Sequence, residues 1–348
     1  MECKNRVANE INKTIFFSTN ADLWSSRTTE PYISLTIHYI DDNWKQQSKC
    51  LQTSYFPDVH TGEIIAAVLR EALPSWGLED SRQVCMTTDS GANMVKTLAL
   101  NRWTRLGCFG HRLHIAIERS VQNEPRLSRD TGVCKRVVST FSYSFKKQKA
   151  PSAQDKLNLP LHKLIMESPT SWGSRLQMME RVLEQEKAIT HVLSADKKTR
   201  HLAPNYQDID VFECIMAALK PLQEFTDALS GEAYVSVLYL KPVLHLFKTE
   251  VLKSNEGEAQ LTRDIKMRVV DYLFDKYTNP ETDELLTMAT FLDPRFKNTY
   301  MTTEKLVEVK VRAASEAEAL LVGNTAVEGD YRERDKLPLL QNQPWKLL

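Results

Sequence analysis

Residues Tyr32–Ile40 read YISLTIHYI, and every second residue from Ile33 to Tyr39 is a large apolar one. A period of two over nine residues predicts a β-strand with one buried face, because successive side chains of a strand point to opposite sides. The β-branched and aromatic run Thr14–Thr19 predicts a strand before it, and Lys49–Phe56 predicts a third strand after it. These three segments together predict an antiparallel meander.

The pattern changes after the meander to strands that alternate with helices. Thr61–Leu73 carries an apolar stripe at helical spacing, with Thr61 as the expected N-cap and Pro74 at its end. Gln83–Thr88 predicts a short buried strand, and Leu106–Phe109 predicts another. With the helices expected after each strand, the order β-β-β-α-β-α-β predicts an α/β fold with a mixed sheet covered by helices.

From Thr131 onward the periodicity is almost entirely helical, so we expect an all-α part to interrupt or follow the sheet. The helices predicted here are Ser171–Leu193, Val211–Leu229, Val235–Leu252 and Leu261–Tyr277. Lys146–Pro160 is polar and flanked by proline, which predicts a loop. The expected domains are therefore a sheet core over 1–122, a connecting segment over 123–160, a helical domain over 161–322 and an irregular tail over 323–348.

The composition excludes several classes of protein. Lys plus Arg equals Asp plus Glu at 45 each in 348 residues, so contact with nucleic acid would require a local basic patch. No apolar run reaches the roughly 20 residues that a membrane span needs, and we expect no membrane partner. The six cysteines include no C-x-x-C pair, which argues against a disulfide framework or a zinc finger. We therefore expect reduced thiols in an intracellular protein.

Two aspartates follow predicted strands: Asp22 in TNADLWSS and Asp89 in TTDSGAN. Strand ends open into a cleft in an α/β sheet, and two carboxylates that meet there could bind Mg²⁺, which prefers oxygen ligands. The alternative is that each aspartate only caps the turn or helix that follows it. Spacing does not decide between these two interpretations.

Five segments in order resemble hAT transposases and their domesticated relatives with BED zinc fingers. The segments are FFSTNADLWSSRTTEPYISLTIHYID, VCMTTDSGANM, LNRWTRLGCFGHRLHIAI, SPTSWGSRLQMMERVLEQ and ATFLDPRFK. The resemblance covers about Ile15 to Lys297 and implies a ribonuclease-H-like core with a large helical insertion. It matches Asp22 and Asp89 to the first two acids of the family's Asp-Asp-Glu triad, with Asp22 bridging two metal ions and Asp89 binding one. Magnesium is the only cofactor that it implies.

The sequence departs from the family's pattern at several points. Trp172 matches a tryptophan that the family links to handling the DNA end, but Ser171 and Gly173 flank it here in place of the usual Arg-Trp-Asn-Ser. The missing arginine removes a phosphate donor, and packing of the indole in a helical core is the alternative. No segment matches the third acid, the upstream BED finger or the C-terminal dimerisation region, so we expect all three to be absent from this chain.

Two other groups of residues are candidates for binding. Cys108 and His111 match a Cys-x-x-His segment of the family that supports the sheet, and a structural role is expected for them in preference to a zinc site. Arg102, Arg105 and Arg112 are interspersed with aromatic residues, which predicts a strip that faces DNA. A solvated helix face is the alternative interpretation of the arginines.

These observations favour a domesticated, catalytically inactive hAT-like protein of the nucleus that binds DNA or chromatin and regulates transcription. The partners expected are DNA and chromatin or transcription proteins. One alternative is a metal-dependent nuclease or transposase that uses Asp22 and Asp89 with an unidentified third acid. Another is a protein-interaction scaffold, or a relative of the family branch described as a SUMO ligase.

Overall fold

A computed structural model describes residues 2–122, 124–143, 146–168, 172–231 and 237–327. The chain folds into two compact units. The first unit contains the residues up to Arg112, a short segment that ends at Pro242 and the described residues from Asn279 onward. The second unit contains the described residues from Leu113 to Gly231 and from Val243 to Thr278.

The first unit contains a five-stranded mixed sheet. Its strands are β1 (Phe17–Ser25), β2 (Pro31–Ile40), β3 (Gln46–Tyr55), β4 (Gln83–Thr88) and β5 (Arg105–Gly107). They lie in the order β3-β2-β1-β4-β5. The β1–β2 and β2–β3 pairs are antiparallel, whereas β1–β4 and β4–β5 are parallel. The predicted mixed α/β class is confirmed.

Helices make up most of the remaining described chain. The α-helices are α1 (Glu2–Ile11), α2 (Gly62–Ala72), α3 (Ala92–Asn101), α4 (Phe109–Gln122), α5 (Pro125–Tyr143), α6 (Lys146–Lys156), α7 (Trp172–Glu184), α8 (Glu186–Ser194), α9 (Tyr206–Gly231), α10 (Leu240–Leu246), α11 (Gln260–Tyr277), α12 (Pro280–Leu292) and α13 (Thr303–Val327). Shorter turns are the 3₁₀ segments Pro74–Trp76, Asp80–Arg82, Arg200–Leu202 and Val237–Tyr239 and the π segment Phe247–Val251. Among these described helices, none has the length and apolar character needed to cross a bilayer.

The core of the first unit lies on one face of the sheet. The inward residues Ile33, Leu35 and Ile37 of β2 are at most 1% exposed, as the alternating pattern predicted. They belong to the same hydrophobic cluster as Leu69 of α2 and Leu98 of α3. Burial of large apolar side chains at this face is the main favourable contribution to folding of the sheet. The helices therefore cover one face and leave the polar positions of β1 to β3 on the other.

The end of β1 differs from the prediction. The sequence predicts a strand that ends at Thr19, whereas β1 continues to Ser25. Its antiparallel ladder with β2 extends to the last residue of the strand, and this long-range pairing outweighs the low strand propensity of Asn20 and Asp22. Asp22 consequently lies within the strand rather than beyond it.

The segment predicted as the loop Lys146–Pro160 forms α6, despite Pro151 inside the helix. Gln154 is 5% exposed, and its Nε2 donates hydrogen bonds to Gln185 Oε1 at 2.9 Å and to the carbonyl oxygen of His162 at 2.8 Å. Tertiary contacts of this kind override a weak helix propensity. The helix α5 also lies in the part of the chain expected to be a connecting segment.

Other predicted bounds shift in the second half of the chain. The helix expected over Ser171–Leu193 is divided at Gln185 into α7 and α8, and Ser171 itself lies outside the described residues. The helix expected over Val235–Leu252 is α10 followed by a π segment, and its first two residues lie outside the described chain. The expected tail over 323–348 begins as the last turn of α13, and the described chain ends there at Val327.

The two compact units also differ from the domains that the sequence predicted. The first unit ends its initial stretch at Arg112, within α4, rather than at residue 122. It then takes in α12 and α13, which the prediction assigned to the helical domain and the tail. The helices α12 and α13 contribute a small cluster of their own, formed by Met288, Leu292, Val309 and Ala313. The predicted domain bounds stay a prediction.

Candidate functional site

Asp22 lies on β1, and Asp89 directly follows the neighbouring parallel strand β4. The β1–β4 register pairs Thr19 with Met86 and Asn20 with Thr87. Two further residues along each strand bring Asp22 level with Asp89, at the carboxyl end of β4. Adjacent strands are about 4.8 Å apart, so side chains at the same level of the same face are neighbours. The register, and the electrostatic effect of Asp89 on Asp22, place the two carboxyl groups close together at the carboxyl end of β4.

The chain around Asp89 holds its carboxylate in a tight turn. The main-chain N–H of Gly91 donates a hydrogen bond to Asp89 Oδ1 at 3.1 Å. A side chain at Gly91 would crowd this group, because a Cβ there would lie 3.2 Å from the same oxygen. The expected capping role of Asp89 is thus present, and Oδ2 is the carboxylate oxygen that this turn bond leaves for a ligand.

Arg105 of β5 supports the same turn from the neighbouring strand. Its Nε donates to Thr88 Oγ1 at 3.0 Å, and its Nη2 donates to the main-chain oxygen of Asp89. Thr88 is only 1% exposed. The guanidinium group is therefore committed, at least in part, to positioning the backbone that carries the second acid.

The pKa of Asp22 reflects its surroundings, including the nearby Asp89. Partial burial of the carboxyl group raises the pKa of Asp22, and repulsion from Asp89 raises it further. A hydrogen bond from the backbone of Leu23 and the nearby His111 act in the opposite direction but do not reverse the shift. The raised pKa of Asp22 thus has burial as its largest cause and the neighbouring Asp89 as its second.

This arrangement fits a hard divalent cation. Mg²⁺ is bound in proteins through one or two carboxylates and several waters, and Asp22 with Asp89 would provide the carboxylates. A cation would relieve the repulsion that raises the pKa of Asp22. When bound, such an ion supplies charge stabilisation to a phosphoryl oxygen. In the part of the chain that the structure describes, no group of three or more His, Cys, Asp or Glu side chains is arranged to hold a metal.

The predicted structural pair, Cys108 and His111, lies beside the acids. The N–H of Cys108 donates to the main-chain oxygen of Thr88 at 2.8 Å, which ties the start of α4 to the end of β4. His111 is half-buried and close enough to influence Asp22 electrostatically. Sequence reasoning missed this second property of His111. The available signal was that the Cys-x-x-His helix directly follows the strand next to β4.

The three predicted DNA-binding arginines have different environments. Arg102 is exposed and ends α3 in a left-handed conformation, with φ of 57°. Arg105 supports the Asp89 turn, and its contact with DNA stays a prediction. Arg112 is only 7% exposed, and its guanidinium group packs so closely on Gly107 that a Cβ there would collide with it. The prediction is wrong for Arg112 as a surface contact, because a charge pattern alone does not distinguish an exposed arginine from a buried one.

Trp172 belongs to the second unit, where it is the first residue of α7 and is 9% exposed. The adjacent Gly173 lies against α9, since a Cβ at this position would collide with Gln223 Oε1. This burial agrees with the alternative in which the indole packs in a helical core. Handling of a DNA end by Trp172 stays a prediction.

The region that contains the sheet and its acid pair resembles a domain of known proteins. A family model described as the ZBED1 RNase-like domain matches residues 20–105, which include both aspartates. The match and the similar proteins below support a resemblance to ZBED-like proteins and hAT-type transposases.

The similar proteins come from animals and plants. Zinc finger BED domain-containing protein 4 of Homo sapiens is 24% identical over 89% of this chain and 27% of its own length. The Putative AC transposase of Zea mays is 22% identical over 81% of this chain and 36% of its own length. Zinc finger BED domain-containing protein DAYSLEEPER of Arabidopsis thaliana is 22% identical over 81% of this chain and 42% of its own length. The chain thus spans less than half of each of these relatives.

Proposed function

We propose that this chain is a domesticated, transposase-derived nuclear protein that binds DNA or chromatin partners and regulates transcription, without carrying out strand transfer itself. The observation that carries the proposal is the proximity of Asp22 on β1 and Asp89 at the end of the parallel strand β4. This pair lies in a region that resembles transposase-derived proteins. The proposed fold of the first unit is ribonuclease-H-like, with the helical unit as an insertion. Support comes from the return of the chain to the first unit at Asn279.

The proposed site binds one divalent ion weakly and uses it to hold nucleic-acid phosphate. Two carboxylates provide fewer charges and ligands than the three acids that the resemblance implies for a two-ion site. A single ion between Asp22 and Asp89 would still attract a phosphate oxygen, whereas in-line displacement requires stabilisation of both the attacking and the leaving oxygen. Arg105 has the sign of charge needed to keep a phosphate near the pair.

A metal-dependent nuclease is the second candidate. The raised pKa of Asp22 favours it, because perturbed carboxyl groups cluster at catalytic sites. In this case an acid outside the described pair would complete the site. The two candidates make opposite predictions for cleavage and the same prediction for binding.

The test combines binding and cleavage with one set of DNA substrates. Fluorescence anisotropy with a labelled duplex should give affinity that falls at least tenfold between about 50 and about 200 mM salt, because phosphate contacts release counterions. Nicked and branched DNA should remain intact when incubated with magnesium or manganese. Cleavage that is lost in Asp22→Asn would favour the nuclease instead. Absence of binding to any DNA at the lower salt concentration would overturn the proposal.

A further inference from the structure

Three aromatic rings lie side by side across the first three strands of the sheet. Trp24 of β1 stacks on Tyr32 of β2, with ring centroids 4.8 Å apart and an interplanar angle of 18°. Tyr32 meets Tyr55 of β3 edge to face at 5.9 Å. The strand register pairs Trp24 with Tyr32 and Tyr32 with Tyr55, so the three rings form one row perpendicular to the strands. We name these three residues the aromatic row.

The aromatic row is unusually open to solvent. Trp24 is 42% exposed and Tyr55 is 57% exposed, although burial of rings of this size is strongly favourable. The next positions inward on the same face are the polar Ser34 and Thr53, which are paired in the register. The row is therefore a set of ring faces and edges within a polar surface, rather than part of an extended apolar patch of the kind typical of protein interfaces.

The aromatic row is continuous with the acid pair. Trp24 and Asp22 are two residues apart on β1, so they share a face and lie about 7 Å apart along the strand. From Trp24 the row runs about 10 Å across two strand spacings to Tyr55 at the sheet edge. Arg27, in the turn between β1 and β2, is exposed and adds a positive charge near Trp24. The rings and Asp22 thus lie on one face of the sheet, within a single unit.

We propose that the aromatic row is a stacking site for unpaired bases of single-stranded nucleic acid, whose backbone passes the Asp22–Asp89 pair. Flat rings offer stacking surfaces to any base, so a row of them binds a single strand with little sequence preference. In duplex DNA the base faces are already stacked on each other and are not available to the row. This inference rests on the proposed nucleic-acid binding and adds a preference for single strands. The competing explanation is that the rings only strengthen cross-strand pairing.

The experiment measures binding of the full chain to labelled oligo(dT) of about 12 nucleotides, a length within the usual site size, and to a duplex of equal length. The single strand should bind more tightly than the duplex. Tyr55→Ala and Trp24→Ala should each weaken binding to oligo(dT) roughly 5- to 100-fold, the range expected for loss of one stacked base. Tyr55→Phe keeps the ring and should remain within about threefold of the unsubstituted chain.

Trp44 provides the matched control, because it is 46% exposed and lies in the β2–β3 turn at the opposite end of the same strands. Trp44→Ala should leave binding to oligo(dT) unchanged. Salt-sensitive duplex binding that is equal to or tighter than oligo(dT) binding would overturn the stacking site and leave the proposed function standing. Binding of oligo(dT) that Tyr55→Ala and Trp24→Ala do not weaken would also overturn it, in favour of the cross-strand explanation. Failure of both nucleic acids to bind would overturn both proposals.

Discussion

Replacing Arg175 by methionine should destabilise the second unit, because it disrupts a network of ion pairs around a buried glutamate. Arg175 Nε donates to Glu167 Oε2 at 2.9 Å, and its Nη1 lies 2.8 Å from Glu118 Oε1. Glu167 also pairs with Lys135 Nζ at 2.5 Å. The network connects α4, α5 and α7 with the segment before Trp172. Methionine keeps the apolar stem of the arginine but removes its charge and its donors.

The magnitude follows from the exposure of the groups. Loss of one partner from a fully buried pair costs about 3–5 kcal/mol, because the remaining charge loses its compensation. The side chain of Glu167 is 7% exposed, but that of Arg175 is 16% exposed and Lys135 remains as a partner of Glu167. We therefore expect Arg175→Met to lower the free energy of unfolding by about 2–3 kcal/mol, below the fully buried value.

Urea unfolding followed by far-ultraviolet circular dichroism measures this change. The midpoint of the transition that belongs to the second unit should fall by roughly 1 M or more at the m values usual for domains of this size. The matched control is Lys220→Met, which removes an ion pair of the same unit whose partners, Lys220 and Glu180, are 54% and 53% exposed. An exposed pair of this kind contributes about 0–1 kcal/mol.

Equal effects of Arg175→Met and Lys220→Met would refute the reasoning, because burial of the network would then carry no energetic weight. A loss below about 1 kcal/mol for Arg175→Met would do the same. Arg175→Lys should fall between the two variants, since an ammonium group retains the charge but cannot reach both carboxylates in the fork geometry of a guanidinium group.

Three further outcomes are expected. Burial alone would raise the pKa of Glu167, but hydrogen bonds from Lys135 and Arg175 outweigh it and hold that pKa below 4.5. The stability that this group contributes is therefore present above about pH 4.5 and is lost as the pH falls through the lowered pKa. Lowering the pH should therefore reduce the free energy of unfolding of Arg175→Met less than that of the unsubstituted chain, as measured by urea unfolding at each pH. Burial raises the pKa of the Cys85 thiol to about 11, whereas Cys50 is exposed; iodoacetamide at about pH 8 should modify Cys50 in the folded chain and Cys85 only after denaturation, as read by mass spectrometry. Thr61→Ala should cost about 0.5–1 kcal/mol in urea unfolding, because Ile64 N–H loses the N-cap bond to Thr61 Oγ1.

Strong local sequence patterns were sufficient to predict some elements of this fold. The alternation in β2 correctly gave its buried face, because a period of two leaves only one way to bury the apolar residues. The cap and stripe of α2 were likewise predicted, and Thr61 does accept the N–H of Ile64. Both elements carry their apolar residues at the spacing that their structure requires.

Elements determined by distant partners could not be predicted in the same way. The last six residues of β1 extend through Asn20 and Asp22 because β2 provides a complete ladder for them. The polar helix α6 is held by the contacts of Gln154, which come from residues far along the chain. The helix α1 has few apolar residues, yet Ile11 is fully buried in the core of the sheet. Tertiary contacts decide these cases, and periodicity does not contain that information.

The site was predicted in part. Placement of the two acids on neighbouring strands followed from the family resemblance, since no local pattern gives the order of strands in a sheet. The aromatic row could not be recognised, because Trp24, Tyr32 and Tyr55 are far apart in sequence and only the strand register brings their rings together. Burial of Arg112 was also hidden, because a charge pattern does not show that its guanidinium group packs on Gly107.

The most direct test of the account is the effect of magnesium on thermal unfolding of four chains: the unsubstituted protein, Asp22→Asn, Asp89→Asn and the control Asp58→Asn, which changes an exposed acid outside the pair. An ion bound by the pair should raise the unfolding temperature of the unsubstituted protein and of Asp58→Asn, with a gain of about 1.4 kcal/mol at tenfold the dissociation constant. Asp22→Asn and Asp89→Asn should lose that rise. A rise of the same size in all four chains, or none in the unsubstituted protein, would contradict the claim that the two carboxylates form one cation site.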